Sequence, residues 1–275
     1  MNVLRFIIKN WVPPIFLKYS KSFIKNNTYE GPFASWEEAM QRSSGYDDEK
    51  ILGKVLEATL KVKCGEAVFE RDSVLFDEIQ YAWPLTAGLM WTAACYSGRL
   101  SVLDFGGSLG SSYFQNRKFL EGLQGVRWSI VEQEHFVECG NEQIKDERLM
   151  FYPTIAECVA VEKPNVVLLS CVLQYLPDPY AVLDELVESG AGIILVDRTS
   201  FWEGQEDLLG VQKVPEKIYP ASYPFWIFSK KKFIRHLSSK FDLLAETLSP
   251  EGFVPLSRER FSFNGFVIKR RFYEK

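Results

Sequence analysis

Apolar and polar positions alternate along the chain in short blocks that predict a series of strands and helices. The runs at 100–105 and 126–131 have the β-branched and aromatic content of strands. Near-continuous apolar runs at 165–170 and 192–197 are typical of strands buried on both faces of a parallel sheet. Between these two runs, a helical pattern places apolar residues at Ala181, Leu183, Leu186 and Val187.

The first hundred residues have mainly helical patterns. A capping box at Ser35-Trp36-Glu37-Glu38 predicts one helix start, and the acidic residues Asp47-Asp48-Glu49 predict a second. Pro84 suits the first turn of a third helix, which Gly98 ends. We interpret the polar cluster Glu70-Arg71-Asp72-Ser73 as a loop salt bridge with a helix cap at Asp72 or Ser73.

At the other end of the chain, residues 229–240 have the pattern of a helix. Two extended runs follow, 241–248 and 261–269, with no helix between them. Strands connected without a helix are expected to pair antiparallel. The sequence therefore predicts a C-terminal hairpin at the edge of the sheet.

A glycine-rich turn, Gly106-Gly107-Ser108-Leu109-Gly110, separates the first predicted strand from a helix. Glycines permit positive φ and let a ligand approach the backbone closely. Glu132, directly after the second strand, is placed to accept the hydroxyls of a ribose. The two features together predict a site for a nucleoside cofactor, although a tight turn beside some other ligand remains an alternative.

The residues of this turn bear on which cofactor binds. A nicotinamide-binding Gly-x-Gly-x-x-Gly pattern requires glycine where the chain has Ser108 and Ser111. Asp104, just before the turn, repels a pyrophosphate but attracts a cationic amino group. The charge favours a cationic cofactor over a dinucleotide.

Composition narrows the classes of function. The 275 residues are 47% hydrophobic, enough for a packed core, and the net charge of −4 argues against a nucleic-acid partner. Five cysteines lack any Cys-x-x-Cys pair, so we expect free thiols, a cytoplasmic location and no metal site.

The pattern Asp104-x-Gly106-x-Ser108-x-Gly110 resembles the signature of class I S-adenosylmethionine-dependent methyltransferases, and residues 171–179 resemble the segment after their fourth strand. The resemblance implies an α/β fold with a doubly wound, mostly parallel seven-stranded sheet and an antiparallel C-terminal edge hairpin. It divides the chain into a basic arm and helical cap, 1–97, and a methyltransferase domain, 98–275. The implied cofactor is S-adenosyl-L-methionine, bound by Asp104, Gly106, Gly107, Ser108, Gly110, Glu132, Gln133, Ser170 and Cys171.

More narrowly, the chain is similar to a family of bacterial methyltransferases associated with surface-polysaccharide (O-antigen or capsule) gene clusters. This family resemblance implies a sugar or sugar-linked precursor as the small-molecule substrate. One departure is that no polar residue to meet the adenine amino group is evident at Pro153-Thr154-Ile155, so backbone groups or Gln133 take that role. The resembling motifs are Glu70-Arg-Asp-Ser-Val74, Asp104-Phe-Gly-Gly-Ser-Leu-Gly-Ser111, Val131-Glu-Gln133, Val172-Leu-Gln-Tyr-Leu176, Val196-Asp-Arg-Thr199 and Tyr219-Pro-Ala-Ser-Tyr-Pro224.

The sequence compels no catalytic side chain, because an activated methyl donor needs alignment more than it needs a base. The candidates that face a substrate are Tyr175, Gln174, Asp197 and Arg198, and a salt bridge of Asp197 is the structural alternative. His135 and His236 are interpreted as surface residues. Two other functions remain open: a non-catalytic S-adenosylmethionine-binding module in polysaccharide assembly, and a nicotinamide-dependent sugar-modifying enzyme.

Aromatic residues concentrate in two segments. Residues 201–228 hold seven of them, which indicates either an insertion that contacts substrate as a lid or a hydrophobic plug. Residues 1–25 combine basic and aromatic side chains without an acid. They are interpreted either as an arm packed on the domain or as a peripheral contact with the inner face of the membrane.

Overall fold

The computed structural model describes residues 28–44, 48–71, 73–214 and 221–271. The arm of residues 1–25, with its predicted membrane contact, lies outside the described residues, as do Asp47, Asp72 and Tyr219. Within the described ranges, no helix combines the length and apolar character needed to cross a membrane.

Helices and strands follow one another along the described ranges. The α-helices are α1 (Trp36–Gln41), α2 (Asp48–Lys63), α3 (Trp83–Cys95), α4 (Ser111–Leu120), α5 (Glu134–Cys139), α6 (Ile155–Glu162), α7 (Pro179–Glu188) and α8 (Lys230–Leu237). A π-helical turn covers Gly140–Ile144 and a 3₁₀ turn covers Leu173–Tyr175. The strands are β1 (Thr28–Glu30), β2 (Phe69–Arg71), β3 (Val74–Phe76), β4 (Arg99–Phe105), β5 (Gly125–Val131), β6 (Leu149–Tyr152), β7 (Val166–Ser170), β8 (Ile193–Trp202), β9 (Leu208–Val214), β10 (Ala221–Ser229), β11 (Phe241–Leu256) and β12 (Glu259–Arg270).

The predicted starts of α1 and α3 are present, and each has the local feature from which it was predicted. The Ser35 hydroxyl accepts a hydrogen bond from the backbone N–H of Glu38 at 3.2 Å and caps α1. The Glu38 carboxylate accepts in turn from the N–H of Ala34 at 2.8 Å. Pro84 lies in the first turn of α3, where its missing N–H costs no intrahelical bond. Both starts are confirmed.

The interpretation of the Glu70–Ser73 cluster as a helix cap is wrong. β2 and β3 form an antiparallel hairpin there, and Ser73 has a left-handed φ of 63°. A short polar turn between strands has the same residue types as a helix cap, so the local sequence does not separate them. The cross-strand pair Phe69 and Phe76, with ring centroids 5.6 Å apart, stabilises the hairpin.

The chain divides into two compact units. The first, here called the core unit, comprises Asp47–Thr199, Phe233–Thr247 and Asn264–Lys275. The second unit comprises Met1–Tyr46, Ser200–Lys232 and Leu248–Phe263. The predicted division after residue 97 falls inside the core unit and stays a prediction.

The sheet of the core unit has the strand order β6-β5-β4-β7-β8-β12-β11. The first five strands are parallel, with registers such as Leu103 opposite Ser129 and Val167. β11 and β12 are joined by a two-residue turn at 257–258, so they run antiparallel. The doubly wound, mostly parallel sheet with an antiparallel C-terminal hairpin is confirmed. The predicted seven strands are part of a sheet of ten, because the last residues of β8 also pair with β10. The strand order reverses between β4 and β7.

The hydrophobic core of this unit is formed by the apolar residues of its parallel strands and by the helices that pack on them. Val102 of β4, Trp128 of β5 and Leu168 of β7 have no exposed surface. Leu89 of α3 is equally buried in the same cluster. Strands covered by helices on both faces need apolar residues at successive positions, which is why these segments lack alternation.

In the second unit, β9 pairs antiparallel with β1 and β10. Phe201, Phe225 and Phe228 are at most 1% exposed. Phe201 and Phe228 pack with ring centroids 5.8 Å apart, and Phe225 packs on Phe261 at 5.7 Å. Hydrophobic packing therefore accounts for these three aromatic residues, and a role of 201–228 on the substrate side stays a prediction.

Candidate functional site

The glycine turn connects β4 to α4 and lies at the carboxyl end of the parallel strands. Gly106 has a φ of +70°, and a Cβ there would lie 2.4 Å from the Val172 side chain. Gly110 has a φ of +101° and directly precedes α4. Gly106 therefore requires glycine because a Cβ would clash with Val172 and because its φ is positive. Gly110 requires glycine because its φ is positive.

Ser108 has a φ of +54°, in the left-handed region that favours glycine. This is the position where the resembling signature has its middle glycine. A non-glycine residue in that conformation costs roughly 1–2 kcal/mol. The turn keeps the glycine-like backbone in spite of the serine, which indicates that the surrounding structure imposes it.

The Asp104 carboxyl lies beneath the turn and is 1% exposed. A Cβ at Gly107 would lie 2.6 Å from its Cγ, so the backbone of the turn passes directly over the carboxyl. The indole Nε1–H of Trp128 donates to Oδ2 at 2.9 Å. Burial raises the pKa of Asp104 to about 7; the nearby Glu132 charge adds to the rise, and the Trp128 hydrogen bond opposes it. The predicted direct contact of this carboxyl with a ligand stays a prediction.

Glu132 reaches the same turn from the neighbouring strand. Phe105 lies opposite Val131 in the parallel register, so β4 and β5 end at the same level. The Glu132 carboxylate accepts hydrogen bonds from the N–H of Ser108 at 3.3 Å and of Gln133 at 2.8 Å. Burial raises the pKa of Glu132 against the lowering effect of these two bonds.

The two carboxylates make the turn an anionic site. No lysine or arginine of the described residues forms an ion pair with Asp104 or Glu132. The Glu132 charge raises the pKa of the buried Asp104, and the nearby His135 lowers the pKa of the partly buried Glu132. Negative charge gathered in this way attracts a proton or another cation. The site is chemically suited to a positively charged ligand.

A second polar cluster forms between the end of β7 and the middle of β8. Ser170 lies opposite Asp197 in the parallel register, and its hydroxyl donates to Asp197 Oδ2 at 2.9 Å. Arg198 Nε donates to the same oxygen at 3.3 Å. Asp197 therefore forms a salt bridge with Arg198, which is the alternative that the sequence left open for this residue.

Gln174 connects the segment that follows β7 to the middle of β8. Its Nε2 donates to the Arg198 carbonyl at 3.2 Å and to the Cys171 sulfur at 3.3 Å. Cys171 and Arg198 have left-handed φ values of 57° and 47°. Gln174 is fully buried, and its two hydrogen bonds position Cys171 and Arg198. Its Oε1 has no hydrogen-bond partner. The Tyr175 hydroxyl is 4.0 Å from the Cys171 sulfur.

Val172 connects the two clusters, because its side chain packs against Gly106. The predicted residues at the ends of β4, β5 and β7 and those in the middle of β8, which lies level with the end of β7, are therefore gathered beside the point where the strand order reverses. Other predicted residues are peripheral. Gln133 is exposed at the start of α5, and Thr154 caps α6 by accepting from the N–H of Glu157 at 3.2 Å.

Of the two histidines, His236 lies apart from both clusters, whereas His135 is near enough to Glu132 for its charge to lower the pKa of that carboxyl. His236 Nε2 is hydrogen-bonded to Asp184 at 2.7 Å and lies on the surface, as expected. His135 is only partly exposed, and its Nε2 is buried without a partner. Sequence reasoning missed two contacts near the turn, the hydrogen bond of Trp128 to Asp104 and that of Ser111 to Glu70. The sequence signals for them were an indole and a glutamate among apolar neighbours.

Comparisons with known proteins give the following. No protein-family model matches the chain, and no curated protein matches it in sequence. Among solved structures, the chain is similar to the N-terminal domain of EvdMO1 crystallised in the presence of SAH and D-fucose (14% identity, TM-score 0.45, covering 82% of this chain and 97% of that one). It is also similar to the Burkholderia thailandensis 1,6-didemethyltoxoflavin-N1-methyltransferase (12%, 0.39, 87% and 92%) and to an S-adenosylmethionine-dependent methyltransferase from Clostridium acetobutylicum (11%, 0.41, 67% and 89%).

Proposed function

We propose that the protein is an S-adenosylmethionine-dependent methyltransferase. The observation that carries the proposal is the pair of acids, the buried Asp104 and the partly buried Glu132, on either side of a glycine turn at the end of β4. The strand order of the core unit, with its switch between β4 and β7, supports a ligand site at this edge of the sheet.

The residues present fit this cofactor better than a dinucleotide. S-adenosylmethionine supplies a methyl group on a positively charged sulfur and also carries an ammonium group. The negative charge of Asp104 and Glu132 stabilises such cations, whereas it opposes a pyrophosphate. In this proposal Glu132 accepts the ribose hydroxyls, and the backbone of Gly106, Gly107, Ser108 and Gly110 contacts the amino-acid part. Ser170, Cys171 and Gln133 complete the set that we assign to cofactor binding.

For the methyl acceptor we propose a sugar or a sugar-linked precursor of a surface polysaccharide. This part rests on the family resemblance of the sequence motifs, from Glu70–Val74 to Tyr219–Pro224. On the acceptor side, Asp197 is the described carboxylate placed to take a proton from an acceptor hydroxyl, with Arg198 and Ser170 orienting it.

A second candidate function is a binding module that holds the cofactor without transferring its methyl group. One observation favours it. Asp197 is already engaged by Ser170 and Arg198, and Gln174 is fully buried, so two of the four candidate catalytic side chains are occupied in structural contacts.

Calorimetry with S-adenosylmethionine, S-adenosylhomocysteine and NAD tests the proposal. We expect the first two to bind and NAD not to bind. Glu132→Ala is expected to weaken S-adenosylhomocysteine binding, whereas Glu138→Ala, an exposed glutamate on α5, serves as the matched control. Absence of binding to either methyl-donor form contradicts the proposal.

Transfer of a labelled methyl group to a panel of nucleotide-linked and lipid-linked sugars separates the two candidate functions. An enzyme transfers the label to one acceptor class, and Asp197→Asn slows this transfer while leaving S-adenosylhomocysteine affinity unchanged. A binding module retains that affinity and transfers no label to any acceptor.

A further inference from the structure

The β2–β3 hairpin contributes a buried carboxylate beside the glycine turn. Glu70 lies in β2 and is 2% exposed, which is unusual for a glutamate. A carboxylate removed from water to this extent is tolerated only where hydrogen bonds or charges replace its hydration. Its contacts therefore indicate why it is there.

Both carboxylate oxygens of Glu70 accept hydrogen bonds. Oε1 accepts from the hydroxyl of Ser111, and Oε2 accepts from the backbone N–H of Ser73 at 3.3 Å. Ser111 is the first residue of α4 and directly follows Gly110, the last glycine of the turn. The carboxylate thus attaches the hairpin to the point where the turn becomes a helix, and the exposed N–H groups of the helix start favour a negative charge there.

A second connection lies one helical turn further along α4. The Gln115 side chain donates to the carbonyl of Gln80 at 2.6 Å, and the Gln80 side chain accepts from Arg71 at 2.9 Å. Arg71 is the neighbour of Glu70 in β2. The hairpin therefore contacts α4 directly at Ser111 and, through Gln80, indirectly at Gln115, and two points of contact restrain both the position and the rotation of the helix.

The turn itself is held from two directions. Glu132 accepts from the N–H of Ser108 at one part of the turn, and Glu70 accepts from Ser111 at its end. A binding site made of backbone groups depends on such supporting contacts, because small displacements of the backbone weaken every hydrogen bond to the ligand.

We propose that Glu70 is a positioning residue of the cofactor site, acting through Ser111. It holds the glycine turn and the start of α4 in the conformation that binds S-adenosylmethionine. The β2–β3 hairpin, which precedes the doubly wound sheet in the chain, thereby belongs to the cofactor site. This inference rests on the proposed function.

The test measures S-adenosylhomocysteine affinity by calorimetry for Glu70→Ala, Ser111→Ala and Ser111→Thr, with Glu57→Ala as an exposed control on α2. Glu70→Ala and Ser111→Ala are each expected to weaken S-adenosylhomocysteine binding about tenfold. Both remove the same hydrogen bond, so the double variant is expected to bind no more weakly than the weaker of the two single variants. Ser111→Thr keeps the hydroxyl and is expected to restore the wild-type affinity, and Glu57→Ala leaves it unchanged.

Thermal melting of each variant is recorded separately. If Ser111→Ala lowers the melting temperature but binds S-adenosylhomocysteine as the wild type does, Glu70 has only a structural role and the inference is overturned. Equal affinities of Ser111→Ala and Ser111→Thr overturn it as well. A wild-type protein that binds no S-adenosylhomocysteine refutes the proposed function instead, so the two failures are distinguishable.

Discussion

Replacing Asp104 with asparagine is expected to stabilise the protein at pH 8 and to change its stability little at pH 4. The carboxyl is 1% exposed and its pKa is raised to about 7 by burial, from a reference value of 3.8. Asparagine has nearly the same shape, and its side-chain oxygen can accept the hydrogen bond from Trp128. The substitution therefore removes the charge with little change in packing.

The magnitude follows from the two pKa values. Between pH 3.8 and about 7 the unfolded chain has lost this proton while the folded chain retains it, so the contribution of Asp104 to stability falls as pH rises. About three pH units at about 1.4 kcal/mol each give at most about 4 kcal/mol, reached above pH 7. For a chain of this size that is a shift of roughly 10 °C in melting temperature.

Urea unfolding at intervals from pH 4 to pH 8 measures this difference between Asp104→Asn and the wild type. Asp242→Asn, which removes an exposed carboxylate paired with Arg271, is the control and is expected to show no rise with pH. The free-energy difference for Asp104→Asn should grow with pH and level off above about 7. A difference that stays constant over the whole range refutes the assignment of a raised pKa to this carboxyl.

Three further outcomes are expected. S-adenosylmethionine affinity of the wild type rises as pH increases through about 7, where Asp104 loses its proton, and calorimetry of Asp104→Asn shows no such rise. Glu132→Ala weakens S-adenosylhomocysteine binding about tenfold or more, and unchanged affinity argues against its role at the ribose. Gly106→Ala destabilises the fold by about 1–3 kcal/mol in urea unfolding, because the residue is in a left-handed conformation and its Cβ would lie 2.4 Å from Val172. Gly122→Ala is the control and changes stability little, because no atom lies within 4 Å of the position of its Cβ.

Most of the core-unit sheet was predictable from the sequence. The apolar runs that became β4, β5, β7 and the first half of β8 are short and bounded by polar or glycine residues, so their type is encoded locally. β8 continues to Trp202, beyond the predicted run of 192–197. The C-terminal hairpin was predictable from the absence of a helix between two extended runs, although β11 extends further than the predicted strand, from Phe241 to Leu256.

Other features were not predictable, because they depend on partners distant in the chain. The local sequence of the β2–β3 hairpin also fits a helix cap, since polar turns and caps share residue types. The buried state of Phe225 became evident only from its packing on Phe261, which is 36 residues further along the chain. An aromatic-rich segment has the same composition whether it lines a site or fills a core.

The sequence by itself determined the glycine turn, the acids at the ends of the two adjacent strands and the type of fold, because these depend on short-range backbone preferences and on periodicity. Only the tertiary structure decided the state of those acids. Burial beneath Gly107 raises the pKa of Asp104, and Asp197 is engaged by Ser170 and Arg198. Glu70 reaches Ser111 across 41 residues of chain. Charge, burial and hydrogen bonding are properties of the assembled neighbourhood, which local sequence does not specify.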